Sequence, residues 1–398
     1  MKKNIYTMIT AIAINNIGDI IFDLFITWNL SSATGNLMSA VYVIGTSVAF
    51  RAILAFVIGS YVDKHKKKET MICSHISSVL VILCFGLFWQ TAKEFVALSL
   101  IFVLLNDINN ELFTRSYISL TSNMFDENQY IKFQSYSNVI VRIITIGGSA
   151  VAGTLIDRMP SYAIFGIDIV TYIISLFLIL SVKYDESLVD SKVSHGIVNT
   201  LIVDLKYTLK TIYKSSYLLA FTVLMFILNL GYGYIPQILP LQKANVSDSA
   251  FLLGTLKSAI TIGEIAGLFV AGKLSKYVSA TFKTSMILNI LIIMVIACTN
   301  NPVILLVLFS MYGFSDSLTQ PLFGHTVSNL DSTNRGKLLG GIDAIIMFSP
   351  SIGIYTISAI SNYSPILGGI VVSGIFLSGL LIVVMNKNMN HVVLNKKQ

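Results

Sequence analysis

The sequence predicts an all-α membrane protein of twelve transmembrane helices, arranged as two pseudo-symmetric six-helix bundles. Three observations predict it. The 398 residues are 54% hydrophobic and 12% charged with a mean hydropathy of +0.76, more apolar surface than a soluble core of this size can hide. Twelve apolar runs approach the roughly 20 residues that a bilayer crossing requires. One long polar and basic connection, residues 183–216, divides them six and six.

The runs lie near residues 7–30, 38–59, 71–91, 95–116, 136–157, 162–182, 217–239, 250–272, 281–299, 302–324, 337–359 and 364–386. The first follows Met1-Lys2-Lys3 but continues through Gly18-Asp19 to Leu30 without a small-residue cleavage site, so it reads as an uncleaved helix. Between the second and third, Gly59-Ser60-Tyr61-Val62-Asp63-Lys64-His65-Lys66-Lys67-Lys68 reads as a tight cytoplasmic turn, because Lys and Arg excess marks the loops that are not translocated. With both termini cytoplasmic, about 20 Lys and Arg residues fall on that side and only Lys93, Arg158 and Lys243 outside. The net charge of +7 is then carried by loops at the inner leaflet, where membrane lipid rather than nucleic acid is the expected partner.

The sequence organisation is an N-terminal bundle over 1–182, a cytoplasmic linker over 183–216, and a C-terminal bundle with a short cytoplasmic tail over 217–398. The linker begins with a polar stretch from Tyr184-Asp185-Glu186 to His195. It continues with Leu201, Leu205, Leu209 and Ile212 at helical intervals, interleaved with Lys206, Lys210 and Lys214. That pattern fits a basic amphipathic helix on the inner leaflet, or else a partner-binding helix. Tyr232-Gly233-Tyr234-Ile235-Pro236 and Pro240 predict a break near the outer end of the seventh span, as a hinge with aromatic surface or as a simple kinked end.

Several function classes are excluded. Cys73, Cys84 and Cys298 form no C-x-x-C and read as packing residues, without a disulfide framework or a metal site. His65, His75, His195, His325 and His391 are scattered, with no H-x-x-x-H, nucleophile elbow or phosphate loop, so neither an enzyme nor a cofactor is indicated. A repeated pore loop, as an ion channel would need, is also missing from the sequence.

The chemistry lies in charge placed inside the membrane, where each central Asp, Lys or Arg costs about 2.5–3.5 kcal/mol on insertion scales and needs a partner, water or a task. Counting from the ends of the runs, Asp19, Arg51, Asp107, Glu264 and Asp316 sit near mid-depth; Glu111, Arg142 and Asp343 lie further in, and Asp23, Asp168 and Lys257 further out. In the fourth span Asp107, Glu111 and Arg115 recur every four residues and share one face, flanked by Asn106, Asn109 and Asn110. They form either a functional stripe or a network of mutually satisfied groups.

Gly59, Asp63, Lys64, Lys67 and Lys68 match the loop signature G-x-x-x-D-R/K-x-G-R-K, with Lys66 replacing its central glycine. On this the chain resembles the major facilitator superfamily. Gly272 closes the eighth span as Gly59 closes the second, with Lys276 in place of Asp63, as in that family's parallel duplication of six helices. Gly18-Asp19, Phe125-Asp126-Glu127-Asn128-Gln129-Tyr130, Phe165-Gly166-Ile167-Asp168 and Arg335-Gly336-Lys337-Leu338-Leu339-Gly340 are similar to stretches of bacterial exporters related to macrolide efflux proteins and siderophore exporters. The branch's prolines in the fourth span are replaced by Arg115 and Ser122. The glycine-proline motif of the fifth span is reduced to Gly147-Gly148 and Gly153.

The resemblance implies a central cavity lined by the first, fourth, seventh and tenth spans. Asp19, Asp107 and Glu111 become the expected proton-coupling residues, and Asp23, Asn110, Arg51, Arg142, Asn229 and Asp316 the expected substrate contacts. Gly59, Asp63, Lys64, Lys67, Lys68, Arg115, Glu264 and Asp343 become gating residues: Asp63 with Arg115 and the eleventh span, Arg51 with Asp343, and Arg142 with Glu264. Either arginine could instead face the cavity and bind an anionic group. The expected activity is proton-coupled efflux of a small polar molecule such as a metallophore or siderophore, by antiport across a bacterial plasma membrane. Multidrug or macrolide efflux, or lipid flipping on the same fold, are alternatives.

Overall fold

A computed structural model describes residues 2–184, 197–328 and 335–386. The polar linker stretch after Tyr184, the C-terminal tail, and the side chains of Asp63, Leu201, Leu205, Arg335 and Lys337 lie outside the described residues. Those described are helical, and twelve helical segments are long and apolar enough to cross a membrane. The protein is a multi-pass membrane protein.

The first six spans are α1 (Lys2–Thr34), α2 (Leu37–Lys64), α3 (Lys67–Leu87) with the short α4 (Trp89–Glu94), α5 (Val96–Met124), α6 (Glu127–Arg158) and α7 (Ser161–Ser181). After α8 (Ile197–Lys214) come α9 (Ser216–Gln237), α10 (Leu239–Val246), α11 (Ala250–Leu274), α12 (Val278–Cys298), α13 (Pro302–Ser317), α14 (Gln320–Ser328), α15 (Arg335–Ile346), α16 (Ser349–Tyr363) and α17 (Pro365–Met385). One compact unit contains α1–α7 together with Ser247–Ser258, the start of α11; a second contains α8–α10 and the chain from Ala259 onward.

Local chemistry sets the helix ends. Asn36 caps α2 by accepting from Met38 N, Asp126 caps α6 by accepting from Gln129 N at 2.8 Å, and Asn301 caps α13 by accepting from Val303 and Ile304. Lys68 of the basic turn reaches the other kind of end: its Nζ donates to the Leu180 and Val182 carbonyls, 3.2 and 2.7 Å away, at the C-terminus of α7. Lys243 does the same for α12, donating to Ala297 O, Thr299 O and Asn300 Oδ1. It is 2% exposed, so this cation is consumed in capping rather than displayed.

In the first unit, Phe22, Phe25, Phe85, Trp89 and Phe165 form an aromatic cluster with centroids 4.9–6.1 Å apart, edge-to-face except for the tilted Phe25–Trp89 pair. Towards the other end, Met8, Met71, Phe113, Tyr117 and Phe133 pack together. Along their helices Asp19 and His75 lie between the residues of the two apolar clusters.

The second unit has interrupted spans. The seventh breaks at Ile238, just after the helical Pro236, as its sequence predicts. The tenth breaks at Leu318-Thr319 and the eleventh at Met347-Phe348, each directly ahead of a helix with proline in its first turn, Pro321 and Pro350. Tyr234 Oη, Ser361 Oγ and Gln242 close a hydrogen-bonded triad beside the first break. At Gly233 and Gly353 the backbones of α9 and α16 meet, and a β-carbon at either would overlap the facing helix. The amphipathic α8 lays Thr208 and Ile212 against α15 and α9, leaving Lys206, Lys210 and Tyr213 exposed.

Candidate functional site

The first unit buries a polar network where α1, α2, α5 and α7 converge. Tyr172 of α7 is 1% exposed, and its hydroxyl donates to Asp19 Oδ1 at 2.9 Å. Asn110 Oδ1 and Asn106 Oδ1 stand 3.1 and 3.4 Å from the same oxygen. Asp19 Oδ2 accepts from Asn15 Nδ2 at 2.7 Å, so both carboxylate oxygens are held by fixed donors. α1 can approach α7 this closely because residue 18 is glycine: a β-carbon there would overlap Thr171 and Asp168. Asp168 is fully buried, with neither side-chain oxygen hydrogen-bonded.

Between Asn106 and Asn110 on α5, Asp107 Oδ2 accepts from Ser47 of α2 at 2.7 Å, and Arg51 Nε lies 4.0 Å from Asp107 Oδ1. Asp107 is 7% exposed whereas the Arg51 side chain is 54% exposed, so the pair runs from the interior of the unit to its surface. Asp23 is also exposed, facing Arg51 and Lys257. Glu111 is held by Arg115 on its own helix at 2.6 Å. The stripe of α5 therefore divides: Glu111 and Arg115 satisfy each other, while Asp107 and Asn110 turn to α2 and α7.

His75 of α3 completes the interior. Its Nε2 is 2.9 Å from Ser175 Oγ, which itself donates to Ala11 O. The other ring nitrogen, Nδ1, is buried without a hydrogen-bond partner. Stacking on Phe113 at 4.4 Å holds the ring.

In the second unit, close glycine packing brings α11 and α13 together: β-carbons at Gly263, Gly267 and Gly313 would strike backbone of the opposite helix, and Ser317 Oγ donates to Glu264 O at 3.0 Å. Glu264 and Asp316 are thereby neighbours. Asn229 donates back to Met225 O on its own helix. Asp343 is exposed on α15, and Arg142 is partly buried on α6. Gly59 has open space where a side chain would stand, Lys64 is exposed and Lys67 partly buried beside it.

Tyr172, Ser47, Asn15 and His75 were not legible as site residues. The one available signal was Asp168 and Tyr172 spaced a turn apart in an otherwise apolar run.

The sequence matches the model of the Major Facilitator Superfamily over residues 5–354. The chain belongs to that superfamily. No curated relative matches the sequence. Among solved structures, a bacterial homologue of the iron transporter ferroportin in an inward-facing state aligns with a TM-score of 0.67 at 14% identity, covering 96% of this chain and 99% of that one. A mutant of the nucleoside transporter NupG gives 0.70 at 13% identity over 95% and 100%. A mutant of the peptide transporter POT in complex with alafosfalin gives 0.73 at 11% identity over 99% and 96%. These likenesses establish the fold. The superfamily chain is thus a membrane transporter for a small-molecule substrate, not an enzyme.

Proposed function

We propose that this superfamily member exports a small polar molecule in exchange for protons, by alternating access, across a bacterial plasma membrane with both termini cytoplasmic. The observation that carries the reading is the set of Asp19, Tyr172, Asp107, Ser47 and Arg51 with the amides of Asn15, Asn106 and Asn110, which offers both signs of charge and three side-chain amides in one unit. A pump for lipophilic drugs needs a mostly apolar cavity with few polar groups. A carboxylate-bearing or zwitterionic metabolite, such as a metallophore or siderophore, uses this set better.

In this reading Asp19, Asp107 and Glu111 take up a proton when the cavity opens outward and release it inward. Asp23, Asn110, Arg51, Arg142, Asn229 and Asp316 contact the substrate. Asp63, Glu264 and Asp343, with Gly59, Lys64, Lys67, Lys68 and Arg115, serve the inner gate. Membrane vesicles of known orientation test it: a metal-chelating metabolite should move outward only while an imposed pH gradient persists, and Asp19→Asn should abolish the movement. Gradient-independent movement, or movement of lipid alone, would overturn the reading.

A further inference from the structure

The amphipathic helix α8 takes no part in the transport just proposed, yet its packed side and its free side are both specific. Thr208 and Ile212, one turn apart, are buried. Thr208 rests on Gly341 of α15, where a β-carbon would overlap the threonine side chain. This contact joins α8 to the first half of the eleventh span, which is a short separate helix because the span breaks at Met347-Phe348. A displacement of α8 is thereby passed to α15, since close-packed elements transmit strain.

The other side of α8 carries two neighbouring rows. Lys206, Lys210 and Lys214 recur every four residues and are exposed, and among the described residues none of them belongs to an ion pair. Beside them Leu209 and Tyr213, also a turn apart, are 54% and 84% exposed. The helix sets these three lysines against one acid, Asp204. It ends where the seventh span begins: Ser215 N donates to Ile212 O at 3.2 Å, and Ser215 Oγ caps α9 by accepting from Leu218 N at 3.3 Å. Tyr213 and Lys214 therefore stand at the membrane boundary. An acidic protein surface would answer the lysines and leave Leu209 and Tyr213 in water. A leaflet of anionic phospholipid takes both rows, with headgroup phosphates on the lysines and the edge of the acyl region on the apolar pair.

We propose that this face of α8 binds the anionic phospholipid headgroups of the leaflet beside it, and that through Thr208 and Gly341 the bound lipid steadies α15. Membrane charge then regulates the helix that carries Asp343. The inference rests on the transport reading only in naming that leaflet the cytoplasmic one. Its test reads neither transport nor orientation, so the two can fail separately.

Purified protein is placed in nanodiscs of phosphatidylcholine with a rising share of phosphatidylglycerol, and amide hydrogen exchange is followed at residues 206–214 and 338–346. Both faces of a nanodisc have the same lipid, so topology does not enter. Phosphatidylglycerol should slow exchange severalfold in the two segments together. Each lysine at an anionic surface is worth about fivefold in binding, so Lys206→Gln with Lys210→Gln should remove most of the slowing in both. Lys273→Gln with Lys276→Gln, an equal loss of exposed charge at the end of α11, should retain it. The proposal is overturned by unchanged exchange in α8, by slowing in α8 without α15, or by the same response from both double variants. Slowing by inorganic phosphate in phosphatidylcholine discs would also overturn it, because the ligand would then be a free anion rather than the membrane.

Discussion

The Tyr172 hydroxyl and the Asp19 carboxylate meet at 2.9 Å although 153 residues separate them in the chain. The bond ties the first span to the sixth and leaves the tyrosine oxygen within reach of the two asparagines of α5. Tyr172→Phe keeps the ring and removes the donor from an otherwise satisfied carboxylate. We expect a loss of about 1–3 kcal/mol in stability, the range for orphaning a buried acceptor. Thermal melting in nanodiscs reads it; a variant as stable as the parent would show that Asp19 finds another donor.

Gly18 permits that meeting. Gly18→Ala places a methyl group against the side chains of Thr171 and Asp168 in α7, so these must turn away, Thr171 giving up its bond to Asp168 O, or α1 and α7 must move apart. Overpacking of this kind costs about 1–3 kcal/mol. Gly59→Ala, where a β-carbon meets nothing within 4 Å, supplies the control in the same assay. Equal melting temperatures for the two variants would contradict the packing described for α1 and α7.

The twelve spans were legible because apolar run length is a one-dimensional property, and the break after Pro236 because proline removes a helix donor whatever surrounds it. The interruptions at Leu318-Thr319 and Met347-Phe348 carried the same signal in Pro321 and Pro350, but a span needs only length and apolarity to be recognised, so both were read as continuous. Charged residues announced themselves by their cost in lipid. Their partners did not: Ser47 and Tyr172 are ordinary members of membrane helices until α2 and α7 bring them to Asp107 and Asp19. Arg51 has such a partner within its own unit, Asp107 at 4.0 Å, which the spacing of charges along separate spans does not reveal.

Arg51 and Asp107 should therefore separate stability from function. Because the guanidinium is largely exposed, the pair itself is worth no more than about 1 kcal/mol, and Arg51→Gln should melt close to the parent. If Arg51 serves the substrate or the gate, the same variant should lose most vesicle transport. A variant that melts normally and transports normally would remove Arg51 from the site.

Asp157 offers a last test, at the junction of α6 and α11. Its two carboxylate oxygens each accept a backbone amide, Ala250 N and Phe251 N, both at 3.0 Å, at the free N-terminus of α11. The approach is close because Gly153 and Gly254 lie where side chains would strike the opposite backbone, and Ser258 Oγ donates to Ile146 O at 2.6 Å along the same seam. A carboxylate there satisfies two otherwise free amides and opposes the positive helix end. Asp157→Asn keeps one acceptor oxygen and loses the charge, whereas Asp157→Ala loses both. Stability, read by melting temperature, should fall in that order, with the alanine variant losing about 0.5–2 kcal/mol, the range for a lost cap. If alanine and asparagine melted alike and equal to the parent, the carboxylate would not be holding α11, and the glycine seam alone would account for the contact.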